Sequence, residues 1–333
     1  MFSNILIIKL GALGDIVRMS FLINEYKRMN PSTRIHWLIN ENAKALLRYN
    51  PNISVVLCPG DYEKTIKDIK FDVVYSFDED IDLELLSSLQ YINIVGLSSD
   101  NNQLEYCERS KNWFDMSLVS KHGKNKADEF KKINTSSYGK IFSKILNLSY
   151  ENINPKIFTP SNYTKLRSNN FFYLGITPFA GQRWPSKSLC IKELAKLVGS
   201  LEEYFKKHNY NFKIVFFNDG TYNKEFNYIK KRYSKVIVKD TKNNLHSFIK
   251  EISRLNYLIT ADTFALHIAV AFKVRNLSFF TSSSADEIDT YNTGEKIKSN
   301  SKDYCSYNAK KFDNPITSEI LIKKFIIDYE RHL

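Results

Sequence analysis

Short apolar runs alternate along the first half of the chain with longer stretches in which apolar positions recur every three or four residues. The runs NILIIKL (4–10), RIHWLI (34–39), SVVLC (54–58), DVVYSF (72–77) and INIVG (92–96) are rich in Ile, Val and aromatics. Near-continuous apolar strands of this kind belong to a parallel sheet buried on both faces. Between them, DIVRMSFLINEYKRM (15–29) and ENAKALLRY (41–49) carry a helical period. Strand and helix in turn predict an α/β layer structure.

The stretch RSKNWFDMSLVSKHGKNKADEFKKI (109–133) breaks the rhythm. Its lysines read either as a solvated helix face or as a site for an anionic acceptor. A polar, proline-bearing segment, NPKIFTPSNYTKLRSNN (154–170), then reads as a linker. Beyond it the alternation restarts with FFYLGIT (171–177), FKIVFF (212–217), KVIVK (235–239), YLIT (257–260) and NLSFF (276–280). Helices are predicted over 190–206, 222–233, 244–254 and 264–272. A last amphipathic helix, SEILIKKFIIDYERH (318–332), is of a length to cross back onto the first domain. The pattern predicts two Rossmann-like domains facing a central cleft, over 1–160 and 161–316, with 317–333 as the crossing helix.

Composition narrows the picture. A length of 333 residues suits two domains, and 43% hydrophobic residues suffice for packed cores. Four cysteines (Cys58, Cys107, Cys190, Cys305) lie far apart with no CxxC pair. That spacing argues against a disulfide framework or a zinc site and fits a reducing cytoplasm. The start MFSNILIIKLG has no basic leader or small-residue cleavage site. No apolar run approaches the roughly 18 residues of a membrane span. The expectation is a cytoplasmic protein, compatible with peripheral contact at the inner membrane face. A net charge of +12 favours anionic partners. There is no RNP-like motif or aromatic–basic interleaving, so nucleic acid is not expected among them.

Three stretches carry candidate chemistry. KLGALGD (9–15) joins the first strand to the first helix, at the sheet edge where open α/β folds bind ligands. Gly11 and Gly14 permit a tight turn, and Asp15 falls at the helix start, either as an N-cap or as a general base facing the cleft. The loop matches neither the dinucleotide fingerprint nor the Walker loop. In GITPFAGQRWPSKSL (175–189) a strand ends at Thr177, and a small-residue loop with Gly181 is followed by Arg183 and Lys187. It reads as an anion site suited to a diphosphate, or as a proline turn with surface cations. In YLITADTFALHIAVAF (257–272), Asp262 and Thr263 follow a strand and His267 lies in the next helix. They serve either as cap and core residues or as contacts to phosphate or ribose.

In this order the three stretches resemble glycosyltransferase family 9, the bacterial ADP-heptose:heptosyltransferases. The family opens with a KxGxxGD-like loop, continues with a G-x-x-P-x-x-G…(R/K)WP pattern and carries a late D-(T/S)-x-x-x-H motif. Here they stand as KLGALGD, GITPFAGQRWPSK and DTFALH. The resemblance implies a GT-B fold and an inverting, metal-free transfer from a nucleotide sugar, ADP-heptose, to a glycan, glycolipid or glycoprotein acceptor, with no cofactor besides the donor. It implies Asp15 as the base, and Thr177, Gly181, Arg183, Lys187, Asp262, Thr263 and His267 around the donor. Gly11, Gly14 and Asp78 then line the acceptor side.

The chain departs from the family at Phe179, Phe264 and Thr281, where glycine is frequent, and in FFNDG (216–220). These departures bear on the donor's identity more than on the reaction type. Asp78-Glu79-Asp80 matches a D-x-D metal motif but ends a strand of the acceptor-side domain. It is expected to be a polar loop, with Asp78 as a reserve base. The competing readings are a different nucleotide-sugar donor, another GT-B catalyst such as a sugar-nucleotide epimerase, and a non-catalytic nucleotide-sugar binder.

Overall fold

The first apolar run forms β1 (Asn4–Ile8), and burial of Ile5, Leu6, Ile7 and Ile8 places it in the middle of a sheet. The computed structural model describes residues 3–61, 68–101, 103–160, 171–181, 184–242, 244–307 and 315–332, in two units, Met1–Pro160 and Ser161–Leu333. The unit boundary falls inside the expected linker. Residues 161–170 of that linker lie outside the described residues.

In the first unit β1 is followed by α1 (Leu13–Met19), α2 (Phe21–Met29), β2 (Arg34–Leu38), β3 (Val55–Leu57), β4 (Lys70–Ser76), α3 (Leu83–Ser88), β5 (Gln90–Asp100) and β6 (Gln103–Tyr106). Then come α4 (Lys111–Ser117), α5 (Val119–Ile133) and α6 (Tyr138–Leu146). The sheet order is β3-β2-β1-β4-β5-β6, parallel except for β6. The single helix expected over 15–29 is two helices meeting at Ser20, whose hydroxyl donates to the Val17 carbonyl and accepts from the Lys156 amide. The helix expected over 41–49 is a 3₁₀ turn, Glu41–Leu46.

In the second unit β7 (Phe172–Thr177), α7 (Ile191–Lys207), β8 (Phe212–Asn218), α8 (Asn223–Arg232), β9 (Val236–Asp240), α9 (Leu245–Ser253), β10 (Tyr257–Ala261), α10 (Phe264–Ala271), β11 (Arg275–Phe280) and β12 (Gly294–Lys298) make an all-parallel sheet. Its order, β12-β11-β10-β7-β8-β9, is the doubly wound order of a Rossmann domain. The last helix, α11 (Ser318–Glu330), places Leu321, Phe325 and Tyr329 in this unit's core beside Leu174, Phe205 and Tyr257. This apolar face is spent within the second unit.

Both sheets reverse their strand order once, between β1 and β4 and between β7 and β10. Open α/β sheets bind ligands beyond the carboxyl ends of the strands at such a switch point. Register sets the strand ends level there: Ile8 pairs with Ser76 in the first sheet, and Thr177 with Thr260 in the second.

Candidate active site

At the first switch point Lys9 and the segment Phe77-Asp78-Glu79 leave the sheet side by side. Lys9 is buried, and its ammonium donates to Glu79 Oε2 at 2.6 Å and to the Phe77 carbonyl at 3.0 Å. Asp78 Oδ2 and Asp15 Oδ2 stand 3.8 and 3.9 Å from it. Burial disfavours the charged amine, but the pull of Glu79, Asp15 and Asp78 outweighs it and holds Lys9 above its ordinary range. Asp78 Oδ2 accepts the amides of Leu10 at 2.7 Å and Gly11 at 3.0 Å, and Oδ1 accepts that of Asp80 at 3.1 Å. Asp78 is thereby a brace for the KLGALGD loop, with both of its oxygens engaged by main-chain amides.

Asp15 is the third residue of α1. The N-cap is Ala12, which makes no side-chain cap bond, so the expected placement of Asp15 at the cap is corrected. The left-handed turn falls on Ala12 (φ 46°) rather than on Gly11 or Gly14. Asp15 Oδ1 pairs with Arg18 Nη2 one turn along the helix. The Arg18 guanidinium lies 4.2 Å from the centre of the Tyr138 ring and 6.0 Å from that of Trp113. Trp113 in turn donates its indole N–H to Glu79 Oε1 at 3.2 Å. The stretch 109–133 therefore splits in two. Trp113 and Phe114 dock α4 against the site, while Lys121 pairs with Glu105 and Lys126 with Glu129 on the surface.

The second switch point is built from three loops. Lys187, in the turn Pro185–Lys187, donates to Asp262 Oδ2 at 2.6 Å. Burial opposes the Asp262 charge, but Lys187 and then His267 reverse that effect and hold the carboxyl well below the usual range. Thr263 caps α10 through its backbone without a side-chain cap bond. The Thr177 hydroxyl donates to Thr260 Oγ1 at 2.5 Å, and Thr260 Oγ1 lies 3.3 Å from Thr263 Oγ1. His267, one turn into α10, is 8% exposed. The third loop follows β11: Thr281 Oγ1 donates to the Ser186 carbonyl at 2.8 Å, and the Ser186 and Ser282 hydroxyls meet at 2.9 Å. A cation beside a helix N-terminus, with a hydrogen-bonded set of hydroxyls around it, is chemistry for a phosphorylated ligand.

Comparison with known proteins now decides the family. The profile of glycosyltransferase family 9 (heptosyltransferase) matches residues 124–315, more than half of the chain. The chain belongs to glycosyltransferase family 9. A search of curated proteins finds no sequence match. Among solved structures, the family 9 glycosyltransferase of Veillonella parvula is similar with a TM-score of 0.71 at 17% identity, over 96% of this chain and 95% of that one. Heptosyltransferase WaaC of E. coli, solved with ADP-2-deoxy-2-fluoro heptose, matches with a TM-score of 0.63 at 11% identity, over 98% and 99%. The ADP-heptose lipopolysaccharide heptosyltransferase II of E. coli gives 0.63 at 13%, over 98% and 99%. At these identities the likeness shows the fold, which is GT-B.

Within this family 9 glycosyltransferase the expected site residues fall into two groups, one per unit. Asp15, Gly11, Gly14 and Asp78 share the first switch point, and Thr177, Gly181, Lys187, Asp262, Thr263 and His267 lie on the loops and helix of the second. Arg183 lies outside the described residues. The Phe179 ring stacks on Tyr222, with centroids 4.3 Å apart. Phe264 stacks on Phe248 beside Thr263. Sequence reasoning missed Lys9, Arg18, Glu79 and Trp113 on the first unit and the Thr281–Ser282 loop on the second. The available signal was weak: Lys9 opens a motif read for its glycines and aspartate, and Arg18 stands one helical turn after that aspartate. Among the described residues no three His, Cys, Asp or Glu side chains are grouped to hold a metal ion, and no helix is long and apolar enough to cross a membrane.

Proposed function

We propose that this glycosyltransferase moves a heptosyl residue from ADP-heptose to a hydroxyl of a cell-surface glycan, a lipopolysaccharide or lipooligosaccharide core or a glycoprotein, with inversion and without a metal. The reading rests above all on Lys187 and Asp262, paired at the start of α10 with Thr263 and His267 alongside. An inverting displacement needs a base on the attacking side and charge stabilisation on the leaving side. In this reading the acceptor oxygen attacks the anomeric carbon, its proton passes to the Asp15 carboxylate, and the bond to ADP breaks with its electron pair on the diphosphate. Lys187 and the amides opening α10 meet that charge, while Asp262 and His267 are placed to orient the sugar and phosphate. The E. coli heptosyltransferase WaaC solved with ADP supports an adenine nucleotide as the donor's base.

The test is thermal unfolding with ADP, UDP, GDP and CMP, with and without EDTA, followed by transfer assays with ADP-heptose. Ligand at 100 times its Kd stabilises the folded state by about 2.7 kcal/mol. We expect a rise in Tm selective for ADP that survives EDTA and is lost in Lys187→Met. Selectivity for another nucleotide discards ADP-heptose but keeps the transferase, and a rise that needs the metal discards metal-free transfer.

A further inference from the structure

Lys9 has no part in the mechanism above, yet it is 3% exposed at the first unit's switch point. Lysines are rarely buried unless paired. The groups around it are unequal in their commitments. Asp78 is tied to the amides of Leu10, Gly11 and Asp80. Glu79 takes the short bond from Lys9 and the indole N–H of Trp113. Asp15 presents Oδ2 to Lys9 and Oδ1 to Arg18. Two cations and three carboxylates leave this cluster with one net negative charge, so a single proton taken up on Asp15 neutralises it.

We propose that Lys9 is a positioning residue for the transfer reaction: its buried ammonium, shared between Glu79 and Asp15, fixes the Asp15 carboxylate and sets how readily it takes the acceptor's proton. The proposal rests on Asp15 being the base. The charged groups facing Asp15 are Lys9 at the end of β1, Arg18 on α1, and Asp78 and Glu79 after β4, the last two acting through Lys9. Trp113 of α4 and Tyr138 of α6 flank Arg18. Lys9 donates to Glu79 at 2.6 Å and stands 3.9 Å from Asp15, so Glu79 competes with the base for the same cation. Removing the cation and removing its competitor must therefore act on Asp15 in opposite directions.

The experiment is a carboxyl-carbon NMR titration of protein labelled with ¹³C at aspartate, with Asp15→Asn identifying the Asp15 signal. Lys9→Met should raise the Asp15 midpoint by about one pH unit, the smaller end of the effect of an opposite charge within 4–6 Å. Glu79→Gln should lower it, and this variant keeps the buried cation should Lys9→Met fail to fold. Midpoints that stay put, or that move in the same direction in both variants, overturn the proposal. ADP release from ADP-heptose with water as acceptor is followed in parallel. Asp15→Asn that releases ADP at the wild-type rate overturns the base assignment, and Lys9's part in the reaction falls with it. Loss of release in Asp15→Asn with unmoved midpoints overturns the role of Lys9 alone.

Discussion

Asp262 is the carboxylate at the second unit's switch point. Its carboxyl is nearly buried, and Lys187 and His267 hold it below the ordinary carboxylate range. A native carboxyl more acidic than its unfolded value, about 3.9, stabilises the fold above that pH, and the contribution is lost as pH falls toward the native value. Asp262→Asn should cost about 2 kcal/mol at pH 7, the worth of a charge-assisted hydrogen bond. Its Tm gap to the wild type should narrow steadily as pH falls from 5 to 2. An equal gap at both ends shows that Asp262 is not the anion in the folded protein. The sequence singles out Asp262, Lys187 and Asp15 because each stands in a connection that follows an apolar strand, and the structure places each of them near a switch point. Lys9 and Glu79 were not legible there, because what makes them matter is a contact between segments about 70 residues apart. A lysine after an apolar run otherwise reads as the place where a strand meets solvent.

At the scale of elements, the parallel strands were read well where apolar residues run without interruption, and β6 and β12 were missed because they do not. QLEY and GEKIK are polar edge strands, held mainly by pairing to β5 and β11, with Ile297 of GEKIK the side chain that reaches the core. In the turn before α1 the left-handed residue is Ala12, at a cost of about 1 kcal/mol, and Gly11 and Gly14 flank it. Gly96 is where β5 does require glycine. Its φ is +105°, and a β-carbon there would stand 2.0 Å from the Ser76 carbonyl oxygen, which is backbone and cannot swing aside. Ser76 leads directly into Phe77-Asp78-Glu79. Gly96→Ala should therefore destabilise by roughly 3 kcal/mol through overpacking and left-handed strain together. Urea unfolding measures this directly, and a loss under 1 kcal/mol shows that β5 relaxes at that point.

At the scale of the whole molecule, one carboxylate anchors the last helix to the sheet of the second unit. Asp328 on α11 is 1% exposed and accepts from Tyr257 Oη at 2.6 Å and from Arg275 Nε at 2.9 Å, with Arg275 Nη2 on its other oxygen. Tyr257 and Arg275 open β10 and β11, so this clamp sits at the edge of the sheet opposite the Lys187–Asp262 pair. Stability and ligand binding in the second unit can on that account be changed separately. Asp328→Ala takes away the shared acceptor of the buried Tyr257 hydroxyl and the half-buried Arg275 guanidinium, which should cost about 3 kcal/mol. For a unit of this size that is a fall of roughly 6–12 °C in Tm. The first unit shares none of these contacts, so calorimetry should resolve its transition, unmoved, from the lowered one. ADP should raise the lowered transition alone, by the same increment as in the wild type, because mass action depends on affinity and not on the starting Tm. A single transition that falls as a whole shows instead that the two units unfold as one cooperative body. An ADP increment that shrinks in Asp328→Ala shows that the far edge of the sheet helps to shape the donor site.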